Sequence, residues 1–193
     1  MSYKVVSLQQ LMEDIGEEGA QTLLSLFSCP RNPDIEVFLH KKAITSNKQR
    51  FSMTHLVCAD DGGEFEIVAY FSLANKILNG VTEMFPAKIW RRVKRFAIPA
   101  EDMYQLPSVL IAQLGKNFAD GLDRRISGEC LLQLALGEIQ RAQMIVGGKT
   151  TFLECEDTPK LRAFYEANGF AYIGRRDTEE HEKPLLQYIR WVE

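Results

Sequence analysis

Residues 107–170 read as strand, helix, strand and helix, with glycine or proline at most of the junctions. That order constrains the chain more than any other feature, because alternating elements of this kind pack as helices against a sheet. Pro107 opens Val109 to Leu114, a mostly apolar run that fits a strand buried on both faces. Gly121, Ser127 and Gly128 lead into a long helical stretch that ends near Val146, where Gly147-Gly148 stops it. Glu129, Gln133 and Gln140 share one face of that stretch and the rest is apolar. Thr150 to Glu156 is predicted as a strand, Thr158 to Asn168 as a short helix stopped by Gly169, and 170–174 and 185–192 as closing strands.

Upstream, Asp14 to Leu26 reads as a helix with Leu23, Leu24 and Phe27 on an apolar face. After the break at Cys29-Pro30-Arg31-Asn32-Pro33, Asp34 can cap a helix carrying Ile35, Phe38, Leu39 and Ala43. Phe51 to Ala59 and Glu64 to Ala74 read as an antiparallel hairpin turning at Asp60-Asp61-Gly62-Gly63. Residues 75–106 give no clear pattern. The reading is a mixed α/β fold with one sheet, in a single domain over 1–193.

Composition excludes several classes. Hydrophobic residues make up 46% and charged residues 25%, which supports a packed core rather than disorder. The net charge of −3 means that any nucleic-acid contact must come from a local patch. No apolar stretch resembles a signal peptide or approaches the roughly 18 residues of a membrane span. Cys29, Cys58, Cys130 and Cys155 lie far apart with no CxxC pair, and His40, His55 and His181 are scattered. Reduced thiols, a cytoplasmic setting and no metal site are expected.

Arg125-Ile126-Ser127-Gly128-Glu129-Cys130 stands where the long helix opens. The start of a helix exposes unpartnered N–H groups at the positive end of its dipole, which suits a pyrophosphate. Taken alone, Ser127-Gly128 reads equally well as an N-cap and a tight turn. A second pattern, Phe164-Tyr165-Glu166-Ala167-Asn168-Gly169-Phe170, follows the strand that ends Leu153-Glu154-Cys155-Glu156.

Together these stretches resemble the GCN5-related N-acetyltransferase (GNAT) family. Arg125, Gly128 and Cys130 occupy its Q/R-x-x-G-x-G/A motif, with cysteine in place of the last small residue. Phe164, Tyr165, Glu166, Gly169 and Phe170 match its later F/L-Y-E-x-x-G-F motif. The resemblance covers roughly residues 50–192 and is strongest over 107–174. Phe27-Ser28-Cys29-Pro30, Ile35-Glu36-Val37-Phe38-Leu39 with Ala43, and the Pro107-to-Gly115 strand are more loosely similar to a branch that includes toxins acetylating the amino group of aminoacyl-tRNA.

The resemblance implies a mostly antiparallel sheet with a splayed parallel pair, Val109–Lys116 and Thr150–Glu156. It implies acetyl-coenzyme A as co-substrate over 107–170, with the N-terminal helices (1–50) on the acceptor side. The amides of Ile126, Ser127, Gly128, Glu129, Cys130 and Leu131, beside Arg125, would hold the pyrophosphate. The backbone of Leu114, Gly115 and Lys116 would hold the pantetheine and acetyl carbonyl. Tyr165 would protonate the departing thiolate, and Glu154 or Glu156 would take the proton of the amine. The bland alternatives are a core aromatic for Tyr165 and a solvated strand end for the two glutamates. Cys155 reads as a small apolar filler. A dimer through the C-terminal strands is the family's habit.

Lys88, Arg91, Arg92, Lys94 and Arg95 pack five positive charges into nine residues, with Trp90 and Phe96 interleaved. Such a run is either a solvated face or a grip on a tRNA backbone with an aromatic for stacking. Three functions stay open at this point. They are acetyl transfer to a small-molecule or peptide primary amine, the same chemistry on aminoacyl-tRNA by a toxin, and a coenzyme A-binding module without turnover.

Overall fold

The computed structural model describes residues 2–60, 65–177 and 184–192. Its strands are β1 (Ser2–Ser7), β2 (Met53–Asp60), β3 (Phe65–Gly80), β4 (Ile98–Ala100), β5 (Met103–Lys116), β6 (Thr150–Cys155), β7 (Ala171–Arg176) and β8 (Leu185–Trp191). Its α-helices are α1 (Leu8–Leu24), α2 (Pro33–Val37), α3 (Ala43–Lys48), α4 (Ala87–Val93), α5 (Gly128–Val146) and α6 (Pro159–Ala167). The strands follow the order β1-β2-β3-β5-β6-β8-β7, with β4 beside β5. The β5–β6 pairing is parallel and the other described pairings are antiparallel. The mixed α/β sheet expected from the sequence is therefore present. The parallel ladder joins only Val109, Leu110 and Ile111 to Thr151, Phe152 and Leu153, although β5 runs on to Lys116 and β6 to Cys155.

The chain divides into two compact units, Met1–Ala74 with Ala112–Gly137, and Asn75–Ile111 with Glu138–Glu193. In the first, Ser7 caps α1 by accepting from the Gln10 amide, so the helix starts six residues before the predicted Asp14. Leu8, Leu11, Ala20 and Leu24 are buried against Phe27, Leu39, Leu56 and Tyr70. Gly16 breaks α1 with φ 77°, a conformation that glycine adopts freely. Asn32, rather than the predicted Asp34, caps α2 by accepting from the Asp34 amide, and Pro33 follows in the first turn. A wide π turn, Phe38–Lys42, then carries the chain into α3. The predicted hairpin is present, with Val57 opposite Ala69 and a register shift between Val57 and Cys58. Its turn, beyond Asp60, lies outside the described residues, as does His181.

In the second unit Leu78, Phe85, Val93, Leu106, Phe152, Ile173 and Ile189 form the core. Gly147 and Gly148, at φ 83° and 97°, end α5, and Gly147 N donates to Gln143 O. Thr158 caps α6 through the Leu161 amide, and Pro159 follows it. Residues 75–106, unclear in sequence, hold the end of β3, α4 and β4. Pro107, expected to precede its strand, lies inside β5. Its missing N–H therefore falls between the residues paired with β4 (103–105) and those paired with β6 (109–111).

In the first unit, just past β5, Asn117 is 3% exposed. Its Oδ1 accepts from the amides of Ser28 and Ala119, both at 3.0 Å, and its Nδ2 donates to Ile67 O at 2.8 Å. Asn117→Ala leaves these buried groups unpaired and is expected to cost about 3 kcal/mol, read from the urea midpoint. Asn117→Asp, which cannot donate to Ile67 O, is expected to fall in the same range.

Candidate active site

The candidate residues divide between the two units. In the first lie the end of β5, the turn after it and the start of α5. Alternation along β5 turns the side chain of Lys116 to one face and Gly115 to the other. The Lys116 ammonium donates to Asp123 O at 2.6 Å and Ile126 O at 3.1 Å, tying the turn 119–126 to the strand. Asp120 and Gly121 take left-handed conformations, φ 48° and 77°, to make that turn. The Tyr3 hydroxyl on β1 donates to Arg125 O at 2.5 Å, and the Arg125 guanidinium pairs with Glu66 on β3. The predicted cofactor-binding arginine is thus already engaged by a carboxylate.

Ser127 is both the end of the turn and the cap of α5. Its Oγ accepts from the Cys130 amide at 3.0 Å, and its carbonyl accepts from the Leu131 amide at 3.1 Å. Those two amides are committed to the helix. The geometry of a helix start then leaves Ile126 to Glu129 as the stretch whose main chain can face an anion. Ser127 and Glu129 are exposed, Gly128 and Cys130 half-buried, and Ile126 and Leu131 buried. The nineteen-residue α5 behind them supplies a full dipole. At Gly115 an added Cβ would overlap Ile35 Cγ2, so only glycine lets the strand backbone lie as it does. These features fit the binding of an anion such as a pyrophosphate at the start of α5.

In the second unit, β6 and α6 place Glu154, Cys155, Glu156 and Tyr165. Glu154 is held: Arg176 Nη1 reaches both its carboxylate oxygens at 3.1 and 3.0 Å, and Gln187 Nε2 donates at 2.8 Å. Glu156, two residues on, is exposed. Asp157 bridges Arg162 and Arg175 at 2.6 and 3.0 Å. The Cys155 thiol is buried, and burial followed by the charges of Asp157 and Glu156 pushes its pKa up to about 11. It is therefore protonated at neutral pH and a poor nucleophile.

Tyr165 is 8% exposed and its ring lies among Phe164, Phe170 and Tyr188, at centroid distances of 5.1, 5.8 and 6.0 Å. Its hydroxyl has no hydrogen-bond partner among the described residues. Burial, and secondarily Cys155, raises its pKa. The phenol consequently keeps its proton throughout the neutral range. So Tyr165 is a core aromatic whose phenol keeps its proton.

Lys88, Arg91 and Arg92 lie on α4, with Lys94 and Arg95 just after it, and all five side chains are exposed. Trp90, expected to be free for stacking, packs inward against Phe85 and Tyr104 at 5.6 and 4.7 Å. Phe96 stays half-exposed beside Trp191, whose ring also carries the Arg92 guanidinium at 5.9 Å. Among the described residues no cluster of His, Cys, Asp or Glu suits a metal ion. Among them, too, no helix is long and apolar enough to cross a membrane. Sequence reasoning missed Tyr3 and Glu66, which lie 122 and 59 positions from Arg125. No local pattern signals a pairing over such distances.

No protein-family model matches the sequence, and no curated protein matches it. Solved structures do. The chain is similar to a tyrosine-to-phenylalanine mutant of the toxin AtaT bound to the C-terminus of the antitoxin AtaR and acetyl-CoA. The TM-score is 0.64 at 15% identity, over 100% of this chain and 94% of that one. AtaT complexed with acetyl-methionyl-tRNAfMet matches at a TM-score of 0.62 and 20% identity, over 96% of this chain and 94% of that one. A tyrosine-to-phenylalanine mutant of KacT matches at 0.64 and 17%, over 97% and 95%. The chain therefore has the GNAT fold of these toxins.

The clamp on the turn is open to test by hydrogen exchange. Lys116→Met is expected to speed amide exchange across 119–126 by about tenfold, the equivalent of ~1.4 kcal/mol of lost local stability. The β1–β2 amides are expected to exchange as before.

Proposed function

We propose that the chain transfers an acetyl group from acetyl-coenzyme A to the amino group of an aminoacyl-tRNA, as the toxin of a toxin–antitoxin pair. The end of β5 carries the transfer reading. A strand end packed against Ile35 at Gly115 leads, through a clamped turn, to the start of a long capped helix. The acceptor is supported by the AtaT structure that contains acetyl-methionyl-tRNAfMet and by the exposed basic run on and after α4. The antitoxin partner is supported by the AtaT structure bound to the C-terminus of AtaR.

Acetyl-coenzyme A supplies an activated thioester carbonyl. In this reading the main chain of Ile126 to Glu129 binds the pyrophosphate through oriented N–H groups rather than side-chain charge. The backbone of Leu114 to Lys116 bonds the pantetheine and polarises the carbonyl. The acceptor amine must be neutral to attack, and an amine of pKa near 8 is largely charged at pH 7. Glu156 is the better placed of the two glutamates to take its proton, directly or through water, because Glu154 is occupied by Arg176 and Gln187. Tyr165 gives its hydroxyl proton to the departing sulfur. The phenol keeps its proton at neutral pH, as a donor must, while burial raises its pKa and so weakens it as an acid.

Titration calorimetry with acetyl-CoA, using desulfo-CoA and ATP as controls, tests the cofactor. Labelled acetyl transfer to charged tRNA, set beside simple amines, tests the acceptor. Transfer to charged tRNA together with growth arrest on expression supports the toxin. Transfer to amines alone returns the acceptor to small molecules or peptides, and binding without any transfer makes the chain a coenzyme A-binding module.

Two variants probe the roles. Tyr165→Phe is expected to slow transfer by about a hundredfold while acetyl-CoA still binds, and unchanged turnover removes Tyr165 from the acid role. Gly128→Glu puts bulk and negative charge at the helix start and is expected to abolish acetyl-CoA binding. Normal affinity in that variant would sink the pyrophosphate assignment.

A further inference from the structure

The two faces of β5 carry different neighbours at its end. Lys116 reaches the turn before α5 on one face. Gly115 faces the other, and there the first side chain met is Ile35 of α2. A Cβ at Gly115 would overlap Ile35 Cγ2 and lie 3.2 Å from Ile35 Cδ1. The β5 backbone and this isoleucine are thus in direct contact.

Ile35 is also held in place. The Tyr70 hydroxyl donates to Ile35 O at 2.6 Å, and the Ile35 amide donates to Asn32 O at 3.2 Å. Tyr70 is fully buried, edge-on to Phe27 at 5.2 Å and stacked on Phe38 at 6.5 Å. The next residue, Glu36, accepts from the Cys29 amide at 2.6 Å and the Ser28 hydroxyl at 3.2 Å. The Cys29 hydrogen bond is the main cause that lowers the pKa of Glu36, so the carboxylate stays charged and the tie persists at neutral pH. Helix α2 is therefore pinned at Ile35 and at the residue after it. The isoleucine is itself β-branched and stiff at χ1, so it cannot swing aside cheaply.

We propose that Ile35 sets the size of the acyl group that this chain accepts, admitting acetyl and excluding longer chains. The inference rests on the reading above, in which the backbone of Leu114 to Lys116 holds the acylated end of the cofactor. On the α2 face of that backbone the space is what Gly115 leaves, and Ile35 occupies it. Each added methylene must displace a side chain whose helix is anchored by Tyr70 and Glu36, a form of overpacking.

The test is calorimetric binding of acetyl-, propionyl- and butyryl-CoA to the full chain and to Ile35→Ala and Ile35→Val. For the natural chain, Kd is expected to weaken about tenfold or more from acetyl to butyryl, the discrimination that one or two methylenes give in a tight pocket. Ile35→Ala is expected to shrink that ratio to about threefold or less, with Ile35→Val between. Thermal melting monitored by circular dichroism verifies that each variant is folded. Should Ile35→Ala fail to fold, Ile35→Val, which loses a single methyl, decides alone.

A natural chain that binds butyryl-CoA as well as acetyl-CoA overturns the proposal, and so do folded variants that discriminate as the natural chain does. In both cases acetyl-CoA still binds and the acetyltransferase reading stands. Failure of the natural chain to bind any acyl-CoA overturns both.

Discussion

Asn117 is the joint on which the first unit depends. One buried carboxamide, together with its own backbone amide, ties the end of β5 to the loop after α1, to β3 and to the turn before α5. Away from water such bonds are stronger, and each unmade one costs more. Because all four meet at one residue, the loop at Ser28, the strand at Ile67–Val68 and the turn at Ala119 hold fixed positions relative to β5. Lys116 extends the same control one residue back, fastening the far side of the turn through Asp123 and Ile126. The start of α5 is then placed by the strand rather than by the turn itself.

Much of the charge around the candidate site is already used. Arg125 pairs with Glu66, and Lys116 with two carbonyls. An anion arriving at the start of α5 would meet oriented main-chain dipoles more than free cations. Such dipoles need no rearrangement on binding, which favours a fixed geometry over raw charge. Across the second unit the pattern is similar. Asp157 holds Arg162 and Arg175, and Glu154 is pinned, so Glu156 is left as the exposed carboxylate at the end of β6. Tyr165 achieves its protonation state by burial rather than by a charged neighbour, since desolvation is the first cause of its raised pKa.

The elements legible in the sequence are those with punctuation at both ends. Helix α5 lies between Ser127 and Gly147-Gly148, and α6 between Thr158-Pro159 and Gly169, and both were read within a residue or two. The closing strand β8 and the β2–β3 hairpin were read from apolar patterning. β1 was not read, because six residues without a flanking turn signal carry little local information. The start of α1 was missed because Ser7 serves as both strand end and cap. Segment 75–106 stayed obscure because its core residues Leu78, Phe85 and Val93 lie on a strand end, a connection and a short helix, each too brief to show a period. Pro107 misled the strand boundary, since its tolerance depends on which strand lies opposite it, a property of the sheet.

The sequence by itself determined the order of elements in the second half of the chain and the residues that could bear chemistry. Glycine, proline and capping residues act on the backbone next to them, so their consequences can be read locally. Tertiary structure alone decided which of those residues are free. That Arg125 is taken by Glu66, Glu154 by Arg176 and Trp90 by Phe85 and Tyr104 follows from pairings far apart in the chain, which no local pattern encodes. The same holds for Ile35 over Gly115, where the need for glycine is written in the strand and its reason lies in a helix 80 positions earlier. Local conformation follows from neighbouring residues. Occupancy of space follows only from packing.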